Sequence, residues 1–355
     1  MPASQSPQVI GPYRTLAALS DRGFGPEYLA VRGGAGAAAI RLLVLEGVKP
    51  PLQKRLKQRM REAVGLRDPR LERVLELSDA RGTQLLATEC VLGVTLHELL
   101  QSSAEAPDPA LLAGIVAQAA RGLHALHEHR DRREAALEWV HGHLSPNSVL
   151  IAWSGRVVVT QIALAELAAA RVTGHFKYFS PEQARAGALD RRSDVFSLGL
   201  LLYEALTKTH PFSTESLPDY MLSVLADSPR DPCQLDAALP PELASVVMRC
   251  IERDKERRFS DCRELADALL ACPGVEAAAE ESNLSAMLAE RYAAEREASE
   301  KLLARANALQ DVSDPRLAER SSGRGRVRTL LVLVMLAIAA AILAWVAIGR
   351  AAPTC

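Results

Sequence analysis

From Thr329 to Ile348 the sequence TLLVLVMLAIAAAILAWVAI runs twenty residues without a charge. As a helix rising about 1.5 Å per residue it matches a hydrocarbon core about 30 Å thick, and soluble helices are seldom apolar on every face for that length. The flanks favour a membrane span. Arg316, Arg320, Arg324, Arg326 and Arg328 precede it, while only Arg350 follows. The positive-inside rule therefore puts residues 1–328 in the cytoplasm and leaves a short tail, 349–355, beyond the membrane.

Everything else must fold ahead of that span. The 355 residues carry 48% hydrophobic side chains, enough for a sizeable core. A net charge of −1 and the lack of basic, aromatic-rich patches give no sign of a nucleic-acid partner. The cysteines Cys90, Cys233, Cys250, Cys262, Cys272 and Cys355 are scattered, with no CxxC pair, which argues against a zinc site or a disulfide framework. The opening residues MPASQSPQVIGPYR have neither the basic nor the apolar region of a signal peptide.

Upstream of the span, residues 312–328 read as a flexible basic segment. Residues 276–311 contain neither Gly nor Pro and read as a helical juxtamembrane linker, with Pro273 and Gly274 marking the break before it. Its apolar positions (Leu284, Met287, Leu288, Leu302, Leu303, Leu309) are sparse and interrupted by Glu295, so a solvated spacer and a short self-associating coiled coil are both compatible with the pattern. Residues 10–272 remain. Strand-like runs such as AAAIRLLVL and TQLLATECV lie in the first part, about 10–91, and long helical patterns fill the rest, about 92–272. A mixed α+β fold of two lobes with a cleft between them is expected.

Three blocks in the helical part carry more. YFSPEQ at 178–183, RRSDVFSLGLLLYEALTKTHPF at 191–212 and ERRFSD at 256–261 occur in an order and spacing similar to the late motifs of bacterial Hanks-type serine/threonine protein kinases. The resemblance implies the two-lobed kinase fold and an inner-membrane location. It also implies structural roles. Glu182 should pair with Arg258 to hold the activation segment, Asp194 should brace the catalytic loop, and His141 should pack ahead of the catalytic position.

The chemical positions of the family depart from its pattern. The Gly-rich loop reads Ser20-Asp21-Arg22-Gly23-Phe24-Gly25, where only Gly25 keeps its place. Arg41 stands for the lysine of the VAIK strand, with Glu62 as its expected helix partner; a planar guanidinium cannot replace an ammonium unchanged. The catalytic loop is His141-Gly142-His143-Leu144-Ser145-Pro146-Asn147-Ser148. There His143 replaces the aspartate base, Ser145 the lysine, and Ser148 the metal-binding asparagine. DFG has become Gln161-Ile162-Ala163, and a neutral amide is a poor magnesium ligand. His175 stands where the activation segment normally has threonine, and Thr173 is the nearest candidate phosphosite. The hinge-like Glu89-Cys90-Val91 keeps room for an adenine ring.

Framework positions match the family while polar chemical positions do not. The leading expectation is a membrane-anchored pseudokinase that regulates or scaffolds protein partners, with no metal site and with ATP binding, if any, weak and magnesium-independent. An atypical active kinase and an inactive nucleotide-binding sensor stand as alternatives.

Overall fold

The computed structural model describes residues 8–19, 21–32, 38–102, 106–131, 133–170 and 174–308. Strands β1 (Val9–Ile10), β2 (Tyr13–Leu19), β3 (Glu27–Arg32), β4 (Ala39–Leu45), β5 (Val74–Ala80) and β6 (Thr83–Glu89) form one antiparallel sheet, ordered β1-β2-β3-β4-β6-β5. Helix α1 (Pro50–Ala63) lies between β4 and β5 in sequence and buries Leu56, Met60 and Ala63. Proline at its first position starts it, since a residue without an N–H loses nothing there.

The hinge at 90–92 leads into a second small sheet of β7 (Gly93–Thr95), β8 (Val149–Ala152) and β9 (Val157–Val159). Around it stand α2 (Leu96–Gln101), α3 (Pro109–His127), α4 (Ala165–Ala170), α5 (Pro181–Ala184), α6 (Arg191–Thr207), α7 (Leu217–Ala226), α8 (Pro232–Leu235), α9 (Pro241–Cys250) and α10 (Cys262–Leu270). Helices α3 and α6 are apolar nearly all round because both run through the middle of this lobe. Gly199 lets α6 meet α9, since a Cβ there would lie 2.4 Å from the Cβ of Cys250. The molecule is thus two-lobed, a sheet-rich lobe on a helical one, with a cleft at the hinge.

The segment expected to be one helix over 276–311 is instead α11 (Val275–Ala278), α12 (Glu281–Arg291) and α13 (Ala293–Ala308), and it is packed against the domain. Val275, Leu284 and Leu288 are buried in the main core. Ser285 Oγ donates to the Trp153 carbonyl at 2.9 Å, and Gln118 Nε2 to that of Ala279 at 3.3 Å. At the far end Ala306 is buried against the sheet of the first lobe. Val275, Leu284, Leu288 and Ala306 therefore seat this segment on its own domain, where a solvated spacer was one of the expectations. Among the described residues no helix is long and apolar enough to cross a membrane; the span at 329–348 and the basic segment before it lie outside them.

Candidate functional site

Strand alternation sets the roof of the cleft. Residues 27, 29 and 31 of β3 share one face, as do 39 and 41 of β4, and Leu29 lies opposite Arg41 in register. Glu27 and Arg41 are thereby both directed into the cleft and buried. Arg41 Nη1 lies 3.3 Å from Glu27 Oε2, and its Nη2 donates to the Val91 carbonyl of the hinge at 3.2 Å. This corrects the expected pairing with Glu62, whose carboxylate sits near the end of α1 and accepts from Gln58 at 3.3 Å. Glu62 faces away because the inward positions of α1 are Leu56, Met60 and Ala63.

Arg22 closes the set. It is buried, with Nε 4.0 Å from Glu27 Oε2 and Nη1 donating to Thr160 Oγ1 at 3.3 Å. Burial and the nearby Arg41 charge lower its pKa to about 10, while burial pushes the Glu27 carboxyl upward against the pull of both arginines. Two cations thus share one carboxylate inside the cleft.

The Gly-rich loop is closed on itself. Asp21 Oδ1 accepts from the amides of Gly23 at 2.7 Å and Gly25 at 3.4 Å. Phe24 at the loop tip is buried and meets the His143 ring edge-on at 5.4 Å. Gly25 has a backbone reason to be glycine. At φ +134 a Cβ there would stand 2.5 Å from the Val44 carbonyl oxygen. At the hinge, the Val91 amide donates to the Glu89 carbonyl at 3.1 Å, and the half-exposed Glu89 carboxylate lies 3.6 Å from Arg156.

On the floor, Asp194 accepts from the amides of His141 at 2.8 Å and Gly142 at 2.9 Å, and its Oδ2 lies 2.8 Å from His127 Nε2. Burial opposes the charge of Asp194, but these contacts prevail and hold its pKa below the ordinary value. Burial depresses that of His141, whose Nε2 donates to the Thr160 carbonyl at 2.9 Å. The His143 ring lies over that of His141 at 4.2 Å, with Nδ1 2.7 Å from the His141 carbonyl. Ser148 Oγ turns back to the loop, donating to the Ser145 carbonyl at 2.8 Å and accepting from its amide at 3.0 Å. Ser145 Oγ is buried without a hydrogen-bond partner.

Gln161 takes a left-handed φ of +66. Its amide donates to Glu72 Oε2 at 2.8 Å, and its Nε2 to the Arg22 carbonyl at 3.3 Å. Glu72 also accepts from Thr88 Oγ1 at 2.9 Å. Sequence reasoning missed Asp21 as a partner for the loop amides, and it missed Glu27 and Glu72 altogether. Glu27 shares a face with Arg41 only through the β3–β4 register, which the sequence does not display, and Glu72, in a connection before β5, had no local signal. Among the described residues no group of three or more His, Cys, Asp and Glu is arranged to hold a metal ion.

Below the cleft, Arg258 binds Glu182 through two hydrogen bonds of 2.8 and 3.0 Å, and Ser193 Oγ donates to the same carboxylate at 2.7 Å. The Arg258 side chain has no exposed surface, and its guanidinium stacks 4.7 Å above Phe196. Burial raises the Glu182 pKa, but its hydrogen bonds with Arg258 and Ser193 and the Arg258 charge lower it by more, for a net depression. Thr173 lies outside the described residues.

Comparison with known proteins places this geometry. The family model for protein tyrosine and serine/threonine kinases matches residues 38–269. The tyrosine-protein kinase MasK of Myxococcus xanthus is 30% identical over 74% of this chain, and the serine/threonine-protein kinase pkn2 of the same species is 31% identical over 76%. PknB of Mycolicibacterium smegmatis, a serine/threonine-protein kinase, is 28% identical over 62%. The chain spans well under half of these relatives, 43%, 34% and 36% of their lengths respectively. In fold it is similar to the PknI kinase domain of Mycobacterium tuberculosis, with a TM-score of 0.60 at 19% identity over 75% of this chain and 98% of that one.

Proposed function

Because the chain belongs to the protein tyrosine and serine/threonine kinase family, we propose that it keeps the kinase fold as a pseudokinase, a regulatory or scaffolding module for protein partners in kinase-type signalling, anchored in the inner membrane by residues 329–348. The observation that carries this reading is that the cleft is filled by its own side chains. Asp21 occupies the loop amides that would approach phosphate. Arg41 occupies the hinge carbonyl of Val91. Phe24 and His143 fill the space between loop and floor.

A magnesium nucleotide does not fit these residues. Position 161 offers a neutral amide already bonded to Arg22, position 148 a hydroxyl bonded to the loop, and position 143 an imidazole stacked on His141. A triphosphate pairing with Arg41 and Arg22 would strand the buried Glu27 carboxylate, and an uncompensated buried charge of this kind typically costs about 3–5 kcal/mol.

Purified full-length protein in detergent should incorporate no phosphate, into itself or a generic acceptor, with ATP and Mg²⁺ or Mn²⁺. Incorporation that disappears on Gln161→Ala would overturn the pseudokinase reading.

One observation favours an atypical active kinase instead. Glu27 and Glu72 are buried carboxylates in the cleft, and Glu72 touches the backbone of Gln161. Displaced metal ligation by these groups would appear as magnesium-dependent nucleotide binding that Glu72→Gln abolishes. Nucleotide binding that survives a chelator and Glu72→Gln would instead mark an inactive sensor.

A further inference from the structure

We propose that the cleft has a ligand of its own, helix α13, which docks on the outer end of the cleft roof and closes the hinge-side mouth until it is released. The inference concerns access to the cleft and holds for either reading of its chemistry.

Three observations lead there. The first is the path of the chain. After the helical lobe is complete, α11 packs on α3, and α12 runs along the β8–β9 turn. That approach is close: a Cβ at Gly155 would stand 1.8 Å from the Glu281 carbonyl oxygen. The Tyr292 hydroxyl then donates to the Glu98 carbonyl at 3.4 Å, and α13 crosses to β2 and β4 of the other lobe. Residues 275–308 are thus a strap from one lobe to the other on the hinge side.

The second is the surface on which α13 lands. Leu29 and Val31 lie on the same face of β3 as Glu27, and Ala39 lies on the same face of β4 as Arg41. They are the outward continuation of the face that roofs the cleft. Ala306 joins Leu16, Leu29 and Val31 in one buried apolar cluster, with Ala17, Leu19, Ala39, Leu302 and the hinge residue Cys90 packed around it. Without α13 this apolar strip would face water beside the hinge.

The third is how lightly the helix is held. Of α13 only Ala306 is fully buried; Arg296, Ala298, Ser299, Leu302 and Leu303 are half covered, and the remaining residues are exposed. Segments with few buried apolar contacts open at free energies well below global unfolding. The short connection at Tyr292 keeps the released helix close at hand. A contact of this strength is suited to exchange.

Cys90 reports on the contact. It is half-buried, and burial pushes its thiol up to about 11. Cys250 and Cys262 lie fully buried in the helical lobe and report global opening. In the full-length protein, alkylation of each cysteine would be followed by peptide mass spectrometry. Replacing the buried methyl in Ala306→Arg should speed Cys90 alkylation by about tenfold or more, since a docked helix limits access to the thiolate. Arg305→Ala, on the exposed side one residue away, should leave the rate within about twofold.

The wild-type chain gives a second measurement that needs no variant. In urea below the global transition, Cys90 alkylation and amide exchange across α13 should rise together while Cys250 stays protected. Equal rates in wild type and Ala306→Arg overturn the proposal. So does an equal rise in both variants, which would mean general fraying, or exposure of Cys90 only in step with Cys250.

Discussion

The Glu182–Arg258 pair fastens the segment after the cleft to the core of the helical lobe; Arg258 is buried, Glu182 is partly buried, and Ser193 donates a hydroxyl to the carboxylate. Truncating one member of such a pair strands the other charge, so Arg258→Ala should cost about 3–5 kcal/mol and lower the melting temperature sharply. The same contact sets a pH dependence. The folded Glu182 pKa lies below its ordinary value of 4.5. Its stabilisation is therefore complete above pH 4.5 and is lost as pH falls through the folded value. Melting temperatures followed downward from pH 6 should fall less steeply in Glu182→Gln than in wild type; identical slopes would mean the carboxylate is not what senses the acid. Asp194, also depressed, supplies acid sensitivity that remains in the variant.

These residues were readable because each sits in a local motif whose spacing fixes its place. The charge set in the cleft was not. Arg41 was visible as a substitution, but its partner depends on a cross-strand register that brings β3 against β4, and a glutamate in a strand also suits an exposed face. Glu72 is harder still, since its burial follows from the backbone of Gln161, far along the chain, coming to rest on it.

Among the elements, the strap differs most from its expected form. Its apolar residues are too few and too irregular to show a continuous stripe, because three short helices with two breaks present different faces to different parts of the domain. Periodicity over a window reports a straight helix against one surface, and here there is none. The tight approach at Gly155 offers a test at this scale. The residue has φ +88, and its missing Cβ leaves space for the Glu281 carbonyl. Gly155→Ala should therefore strain the turn and displace α12, costing roughly 1–3 kcal/mol. Limited proteolysis should then cut faster near Tyr292 while the helical lobe stays intact; an unchanged cleavage rate would show that α12 does not rest on the turn.

For the whole molecule, the two lobes are joined twice, covalently through the hinge and again through residues 275–308. The apolar span at 329–348 supplies the proposed anchor, and full-length protein should sediment with membranes, whereas a chain truncated after Arg328 should remain soluble and keep its melting transition. A full-length protein found in the soluble fraction would remove the anchor from the account. The strap also decides where that anchor would pull. The described residues end at Ala308, in a helix that contacts β2 and β4 of the first lobe, two residues past the buried contact at Ala306. Tension arriving from the C-terminal side would meet Ala306 first, then Leu302, one after another, as tape lifts from an edge. Contacts loaded in series yield one at a time and at low force. The lobes themselves would feel the load only after the strap had come away.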